Sequence, residues 1–364
     1  DIEVGADGAL YVCDWYDQRV GGHADKDDTL SGTIYRIAPK SWSVPKLKPK
    51  TESISDLIEL LKSPADNVRF LAIEGLKKTG SDAIAALKEL MKHSNPWIAA
   101  RPIWILPHLG EEGKKVCLEL LNSKNSKTRL VAYKALRRAD INILPYAKKL
   151  CSDGDAAVRR EVAISLRNFS FNEKVEIITT IYELWDGIDK TYLEAIGLSM
   201  TNFENKFWNS INNKRGSGNW TTKFSKITWR LYPVDALPEL IKRSSDSLLT
   251  EVERKLAIDT IAFVEGPKAP QAMLEVYKAS GPQKDYAQMW FTLNLDGNKW
   301  DGLIDRDMVA EQAGVTKPGL PVPYEHPAPP KEREVAKLGD ILKLKGNEKQ
   351  GEVVAMRCVM CHVV

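Results

Sequence analysis

A thirty-residue period organises the middle of the chain and constrains its fold more than any other feature. Leu60, Leu90, Leu120 and Leu150 fall in one column, and Leu76, Leu106, Leu136 and Leu166 in another. A third column reads Val68, Ile98, Thr128 and Val158, and a fourth reads Ala72, Pro102, Ala132 and Val162. Each unit divides into two helices. In the first, Ile54, Leu57, Ile58 and Leu61 recur at helical spacing. Lys62-Ser63-Pro64 breaks the pattern, and Val68, Leu71, Ala72 and Leu76 line a second helix. Later second helices follow Asn95-Pro96, Asn125-Ser126 and Asp155-Ala156. Asn and Asp are good N-caps, and proline is tolerated where the first N–H would be unpaired anyway. Gly80 and Gly110 close the helices they follow. A single hairpin of this size cannot bury its apolar face alone, whereas a stack of them makes a continuous core. The expected fold class is therefore mainly α, an α-solenoid of short helical hairpins over residues 53–305.

The second helices also carry Val68-Arg69, Thr128-Arg129 and Val158-Arg159. With these residues the repeat resembles a HEAT-type repeat in its short form. That resemblance implies arginines pairing with acidic groups along the stack. The second unit departs from it. Ala99 stands at the arginine position, and Pro102 inside the helix predicts a kink.

After Phe171 the period blurs but helical patterning continues. Tyr192, Leu193, Ile196 and Leu198 mark a fifth unit. Further helices are expected over Thr222–Leu231, Ala236–Arg243, Thr250–Phe263, Pro270–Ala279 and Asp285–Leu293. Asn212–Asn219 reads as a loop by composition. Trp104, Trp185, Trp208, Trp220, Trp229 and Trp290 read as core packing rather than a binding platform. Cys117 shares a column with Leu57 and Leu87, and Cys151 with Leu61, Met91 and Leu121, so both read as small core residues.

Composition bears on partners. Lys and Arg number 52 against 49 Asp and Glu. This near-neutral balance argues against a dedicated nucleic-acid binder. No apolar run reaches the ~18–20 residues that would span a bilayer.

The first forty residues differ from the rest. Ala9–Asp14 follows the turn signal Ala6-Asp7-Gly8, and Gly32–Ile37 alternates apolar and polar residues. Both read as strands. Two strands are too few for a stable sheet, so further partners are expected. The polar loop between them holds Asp14, Asp17, His23, Asp25, Asp27 and Asp28 without the spacing of a known metal loop. Asp7-Gly8-Ala9-Leu10-Tyr11-Val12, Asp14-Trp15-Tyr16-Asp17 and Ile34-Tyr35-Arg36-Ile37 look like the last blade of a β-propeller of the glucose/sorbosone-dehydrogenase type. The chain resembles the haem-binding CxxCH "membrane-bound dehydrogenase" family of Planctomycetes-type bacteria, in which a propeller, a HEAT-like solenoid and a c-type cytochrome domain follow in that order. The implied organisation is a propeller-blade remnant over 1–40, a linker over 41–52, the solenoid over 53–305, a proline-rich linker over 306–333 and a truncated cytochrome c start over 334–364. The chain then reads as a segment of a longer protein.

The last two parts rest on the sequence at the C-terminal end. Pro318, Pro321, Pro323, Pro327, Pro329 and Pro330 favour polyproline II, which could extend ~40 Å at ~3.1 Å per residue. Glu334–Leu344 reads as a short helix. Cys358-Val359-Met360-Cys361-His362 then supplies two thiols for the two vinyl groups of a porphyrin and an imidazole for the proximal side of its iron. A thioredoxin-type dithiol would need a preceding strand in a βαβ context, and a zinc site would need a second ligand pair. Leu344–Gly351 resembles the start of a class I cytochrome c. It departs from that family in having Gly351 seven rather than eight residues before Cys358, and in Val354 where phenylalanine is usual. Met356 and Met360 stand too near the motif to reach the distal side of the ring, so a distal ligand is expected beyond Val364.

Two functions follow. The first is part of an extracytoplasmic bacterial redox protein, periplasmic or at the cell surface. Covalent haem c at Cys358 and Cys361, with His362 on the iron, would pass electrons from a sugar or alcohol to a redox partner. The resemblance admits pyrroloquinoline quinone or calcium in a propeller, and no residue of this chain is assigned to either. No catalytic residue is assigned. The second function is a non-catalytic protein-binding scaffold, with the partner on the concave face of the solenoid and haem used for relay or sensing.

Overall fold

The computed structural model describes residues 1–14, 33–41, 49–216, 220–279, 281–296 and 299–313. The chain divides into two compact units, Asp1–Thr316 and Lys317–Val364. The second lies outside the described residues, as do the proline cluster, the helix expected over Glu334–Leu344 and the Cys358–His362 motif. The polar loop residues Asp17, His23, Asp25, Asp27 and Asp28 also lie outside them.

The middle of the chain is mainly helical and builds a HEAT-repeat-like solenoid. Helices alternate between a first layer (A) and a second layer (B). The first four hairpins pair α1 (Ile54–Leu61) with α2 (Asp66–Thr79), α3 (Ile84–Leu90) with α4 (Pro96–Ala100), α5 (Gly110–Leu120) with α6 (Ser126–Arg138), and α7 (Leu144–Leu150) with α8 (Ala156–Ser165). Four more follow: α9 (Phe171–Glu183) with α10 (Lys190–Ser199), α11 (Glu204–Arg215) with α12 (Thr222–Leu231), α13 (Leu237–Ser245) with α14 (Glu251–Phe263), and α15 (Lys268–Lys278) with α16 (Lys284–Asp296). A last helix, α17 (Arg306–Ala313), packs against α15. Each B helix from α6 onward contacts the next: α6 with α8, α8 with α10, α10 with α12, α12 with α14 and α14 with α16.

The repeat columns become the core. Leu76, Leu106, Leu136 and Leu166 are all fully buried. Each such burial is worth roughly 2–3 kcal/mol of transfer free energy. Leu90 and Leu150 are buried, while Leu60 and Leu120 pack against the core from its margin. Cys117 and Cys151 are buried as expected. Burial pushes the Cys117 thiol up to about 12, which leaves it inert as a nucleophile.

Turns repeat as well. From the A to the B helix, Ser63 Oγ, His93 Nδ1, Ser123 Oγ and Asp153 Oδ1 each accept the backbone N–H two residues on. Asn95, Asn125 and Asp155 then cap the B helices. From B back to A, one residue takes a left-handed conformation at Gly80, Gly110, Asp140, Asn202, Tyr232, Gly266 and Gly302. The eighth such turn uses Ser170, whose side chain and that of Glu173 form a capping box. The blurred half of the sequence thus keeps the turn geometry of the regular half.

One expectation is met within the helices and two need correction. The kink at Pro102 is present: α4 ends at Ala100, and 3-10 segments at Arg101–Trp104 and Leu106–His108 replace the rest of that helix. Pro102 and Pro107 both remove helical N–H donors, which explains the break. Asn212–Arg215, expected as loop, is the last turn of α11. Phe207, Trp208 and Ile211 bury its inner face, and Arg215 donates Nε and Nη2 to Asn212 Oδ1 while lying over Phe224. Tertiary packing here overrides a polar composition. Arg306–Ala313, placed in the proline-rich linker by sequence, is helical, with Val309 fully buried.

At the N-terminus, β1 (Ile2–Val4), β2 (Leu10–Asp14) and β3 (Thr33–Ile37) form an antiparallel sheet in that order. Val12 sits opposite Ile2 on one side and Tyr35 on the other. Both expected strands are present, and β1 is additional. Gly8 takes the left-handed turn conformation. Asp7 accepts two bonds from Arg36, at 2.9 and 2.8 Å, and fixes that turn to β3. The Arg36 hydrogen bonds hold the Asp7 carboxyl below its usual range. All of β3 is exposed, and among the described residues no further strand pairs with its outer edge.

Candidate interaction face

Two ladders of side chains run along the solenoid. The inner ladder is arginine. Arg69 Nη1 donates to Ser63 O at 3.0 Å and to Pro64 O, and Arg129 Nη1 to Ser123 O at 2.7 Å. Arg159 Nη1 donates to Asp153 O at 2.6 Å. Each guanidinium therefore satisfies carbonyls that its A helix and turn leave open. The second repeat has Ala99 in this column, and Arg101 takes over the task. Its Nη1 donates to Leu61 O at 2.7 Å and Ser63 O at 3.1 Å, in the preceding turn. The break at Pro102 and the shifted arginine are thus one adaptation.

The arginine ladder also joins neighbours. Arg129 binds Asp153 with two parallel bonds, Nε–Oδ2 at 2.7 Å and Nη2–Oδ1 at 2.6 Å. Asp153 is almost wholly covered, and burial acts to raise its pKa. The Arg129 bonds and charge, together with the Asp155 N–H, outweigh that and leave the carboxyl below its usual range. Arg159 Nε donates to Tyr192 Oη at 2.8 Å, and Tyr192 Oη donates to Ile181 O at 2.9 Å. Acidic pairing expected from the repeat resemblance thus links the third hairpin to the fourth, while a tyrosine serves from the fourth to the fifth.

The outer ladder lies on the B helices. Arg138 lies 4.8 Å over the Trp104 ring. Glu161 Oε1 is 3.0 Å from Arg137, and its Oε2 is 3.8 Å from Lys134. Arg160 pairs with Asp189 at 3.3 Å. Arg230 crosses Gly197 to reach Glu194 at 2.7 Å. A Cβ on Gly197 would stand 2.4 Å from the Arg230 guanidinium carbon, so a side chain there would make the arginine shift from this path. Asp259 Oδ1 accepts from Tyr286 Oη at 2.7 Å and Trp290 Nε1 at 2.9 Å. These contacts each tie one hairpin to the next.

The tryptophans named by sequence divide by depth. Trp185 and Trp208 are buried, with Trp208 Nε1 donating to Thr228 Oγ1 at 2.9 Å. Trp104, Trp220, Trp229 and Trp290 are half-buried and packed against the core. Packing is thus their main role. Trp97 was missed. It is 79% exposed at the start of α4. Its column otherwise holds Asn67, Lys127 and Ala157, so a large apolar residue there was the available signal.

Of the site residues assigned from sequence, Cys358, Cys361 and His362 lie outside the described residues. Among the described residues no group of three or more His, Cys, Asp or Glu could hold a metal ion. None of the described helices is long and apolar enough to cross a membrane.

Residues 42–107 match the family model for HEAT repeats. No curated protein matches the chain. Among solved structures, the crystal structure of an engineered protein is 14% identical, covering 72% of this chain and 87% of that one, with a TM-score of 0.32. A second engineered protein is 16% identical, covering 68% of this chain and 98% of that one, with a TM-score of 0.23.

Proposed function

We propose that this chain is a protein-interaction scaffold whose binding surface is the exposed face of the B helices. The observation that carries the reading is the outer ladder. It places exposed and half-exposed Trp104, Arg138 and Arg160 on three consecutive hairpins, and Arg230 and Trp290 on the sixth and eighth, of one HEAT-like stack. A stack of this kind offers an extended surface with little internal strain on binding. Photo-crosslinking from positions on α4, α6, α8 and α12 of the full chain, in extract of its native source, tests the reading. Saturable crosslinks from these positions are expected. Their absence, or crosslinks confined to A-helix positions, would contradict it.

A second reading is favoured by one specific observation, the Cys358-Val359-Met360-Cys361-His362 motif. Two thiols at this spacing and an adjacent imidazole have the donor chemistry for covalent haem c, which would supply one-electron transfer. In this reading the scaffold carries a tethered redox group outside the cytoplasm and exchanges electrons with a redox partner. The resemblance to the propeller–solenoid–cytochrome family supports it. Expression of the full chain with cytochrome c maturation proteins, followed by denaturing electrophoresis, tests it. Haem should stay with the polypeptide, and Cys358→Ala/Cys361→Ala should abolish this. Haem lost from the unaltered chain on denaturation would refute covalent attachment.

A further inference from the structure

We infer that the B-helix face of the third and fourth hairpins docks an acidic, partly apolar protein segment; this rests on the scaffold reading and names its partner chemistry. The near-neutral whole-chain balance conceals a local excess. From Lys124 to Arg167 there are eleven Lys and Arg against four Asp and Glu, an excess of seven where the whole chain has three. From Glu204 to Glu311 the two kinds number fifteen each.

The excess is concentrated on one helix. Residues Ser126–Arg138 of α6 carry five cations and no carboxylate. Arg129 is committed to Asp153 in the inner ladder. Lys134 and Arg137 share a single carboxylate, Glu161, which is only 8% exposed and so lies below them. Arg138 and Arg167 are exposed. Arg137 and Arg167 are one repeat apart and therefore occupy equivalent places on neighbouring helices.

Apolar groups alternate with these charges. Trp104, Lys134 and Ile164 stand at the same repeat position in three successive hairpins, and Leu130 and Arg160 at another. Trp104, Leu130 and Ile164 are half-buried and join the core from its margin. A partner with carboxylates spaced between aliphatic side chains would meet both kinds of group. A phosphate backbone would satisfy the cations but leave Leu130 and Ile164 facing its charges, with Glu161 beneath. Charge and apolar pattern together favour the protein segment over nucleic acid.

Fluorescence anisotropy on the full chain tests this with three labelled probes. They are a peptide alternating Glu or Asp with Leu, the same peptide with Gln and Asn for the acids, and a single-stranded DNA oligonucleotide of equal charge. The acidic peptide should bind saturably and more tightly than either control, and added salt should weaken it. Arg138→Glu/Arg167→Glu should weaken it by about tenfold or more, while Lys255→Glu/Lys268→Glu, an equal charge change within the balanced Glu204–Glu311 stretch, should stay within about twofold. Arg138→Gln/Arg167→Gln should weaken binding in the same direction by less, and serves if the reversal lowers helicity. No saturable peptide binding, equal loss from both reversals, or tighter binding of the oligonucleotide would overturn the inference. Crosslinks to a native partner alongside failed peptide binding would overturn this assignment alone. Absence of crosslinks from the whole B face would overturn the scaffold reading itself.

Discussion

The first four hairpins and the last four are built on one plan but held together differently. In the first four, small and aliphatic residues recur every thirty positions, and Leu76, Leu106, Leu136 and Leu166 fill equivalent places. In the last four, aromatic rings do much of the filling. Trp208, Trp220 and Phe224 pack together, with Trp220 and Phe224 nearly perpendicular at 4.9 Å. Tyr232, Phe263 and Trp290 form a second cluster. Large rings fill irregular spaces, so the repeat can depart from thirty residues in the second half, where A helices start at Phe171, Glu204, Leu237 and Lys268, while the stack continues. Strict periodicity is one solution to stacking hairpins rather than a requirement of it. The regular half also carries the positive excess, whereas the irregular half is slightly acidic, with 15 Lys and Arg against 17 Asp and Glu over Phe171–Asp296.

The sharpest way to break this comparison is to empty an equivalent core position. Leu136→Ala should destabilise the solenoid by about 3–4 kcal/mol, because the site is fully buried and rigidly walled by neighbours on both sides. Urea unfolding monitored by circular dichroism measures it. A value below about 1 kcal/mol would mean that the leucine column is not the organising core.

Next in size is Asp153→Asn, which should cost about 3 kcal/mol at neutral pH by leaving Arg129 half-buried without its charge partner. The sign with pH follows from the lowered carboxyl. The unfolded value is about 3.9. The contribution is present above that pH and is lost as pH falls through the lower folded value. Wild type and variant should therefore converge in acid. A difference that persists unchanged at low pH would show that the ion pair is not its source.

Trp208→Phe probes the other half. It keeps a ring but leaves Thr228 Oγ1 without its indole donor, and should cost about 1–2 kcal/mol in the same unfolding measurement. The smallest expected effect is a gain. Asp140 takes a φ of 55° in a column where Gly80 and Gly110 do the same, so Asp140→Gly should stabilise or leave the fold unchanged within about 1 kcal/mol. A loss above that would mean the Asp140 side chain does more than occupy the turn.

Much of this was legible from the sequence. The two leucine columns, the Asn and Asp caps, the kink at Pro102 and the buried thiols of Cys117 and Cys151 all follow from period and local chemistry. The ends of elements were less legible. Asn212–Arg215 is helical because Arg215 finds ring faces that lie beyond its local sequence. The strand Ile2–Val4 is too short to show alternation. Arg101 stands two residues from the expected column, so its role depends on the 3-10 geometry that Pro102 imposes. The positive face was hidden by averaging, since opposite charges in other hairpins cancel it in the total. The haem motif remains a reading of sequence chemistry alone.

The regular, positively charged half is where we propose that a partner binds. Hydrogen–deuterium exchange of the full chain, with and without the acidic peptide, tests that most directly. Protection should appear across Trp97–Arg167, on α4, α6 and α8, and exchange over Glu204–Ala313 should be unchanged. Protection confined to the second half, or none anywhere at a saturating peptide concentration, would contradict the account.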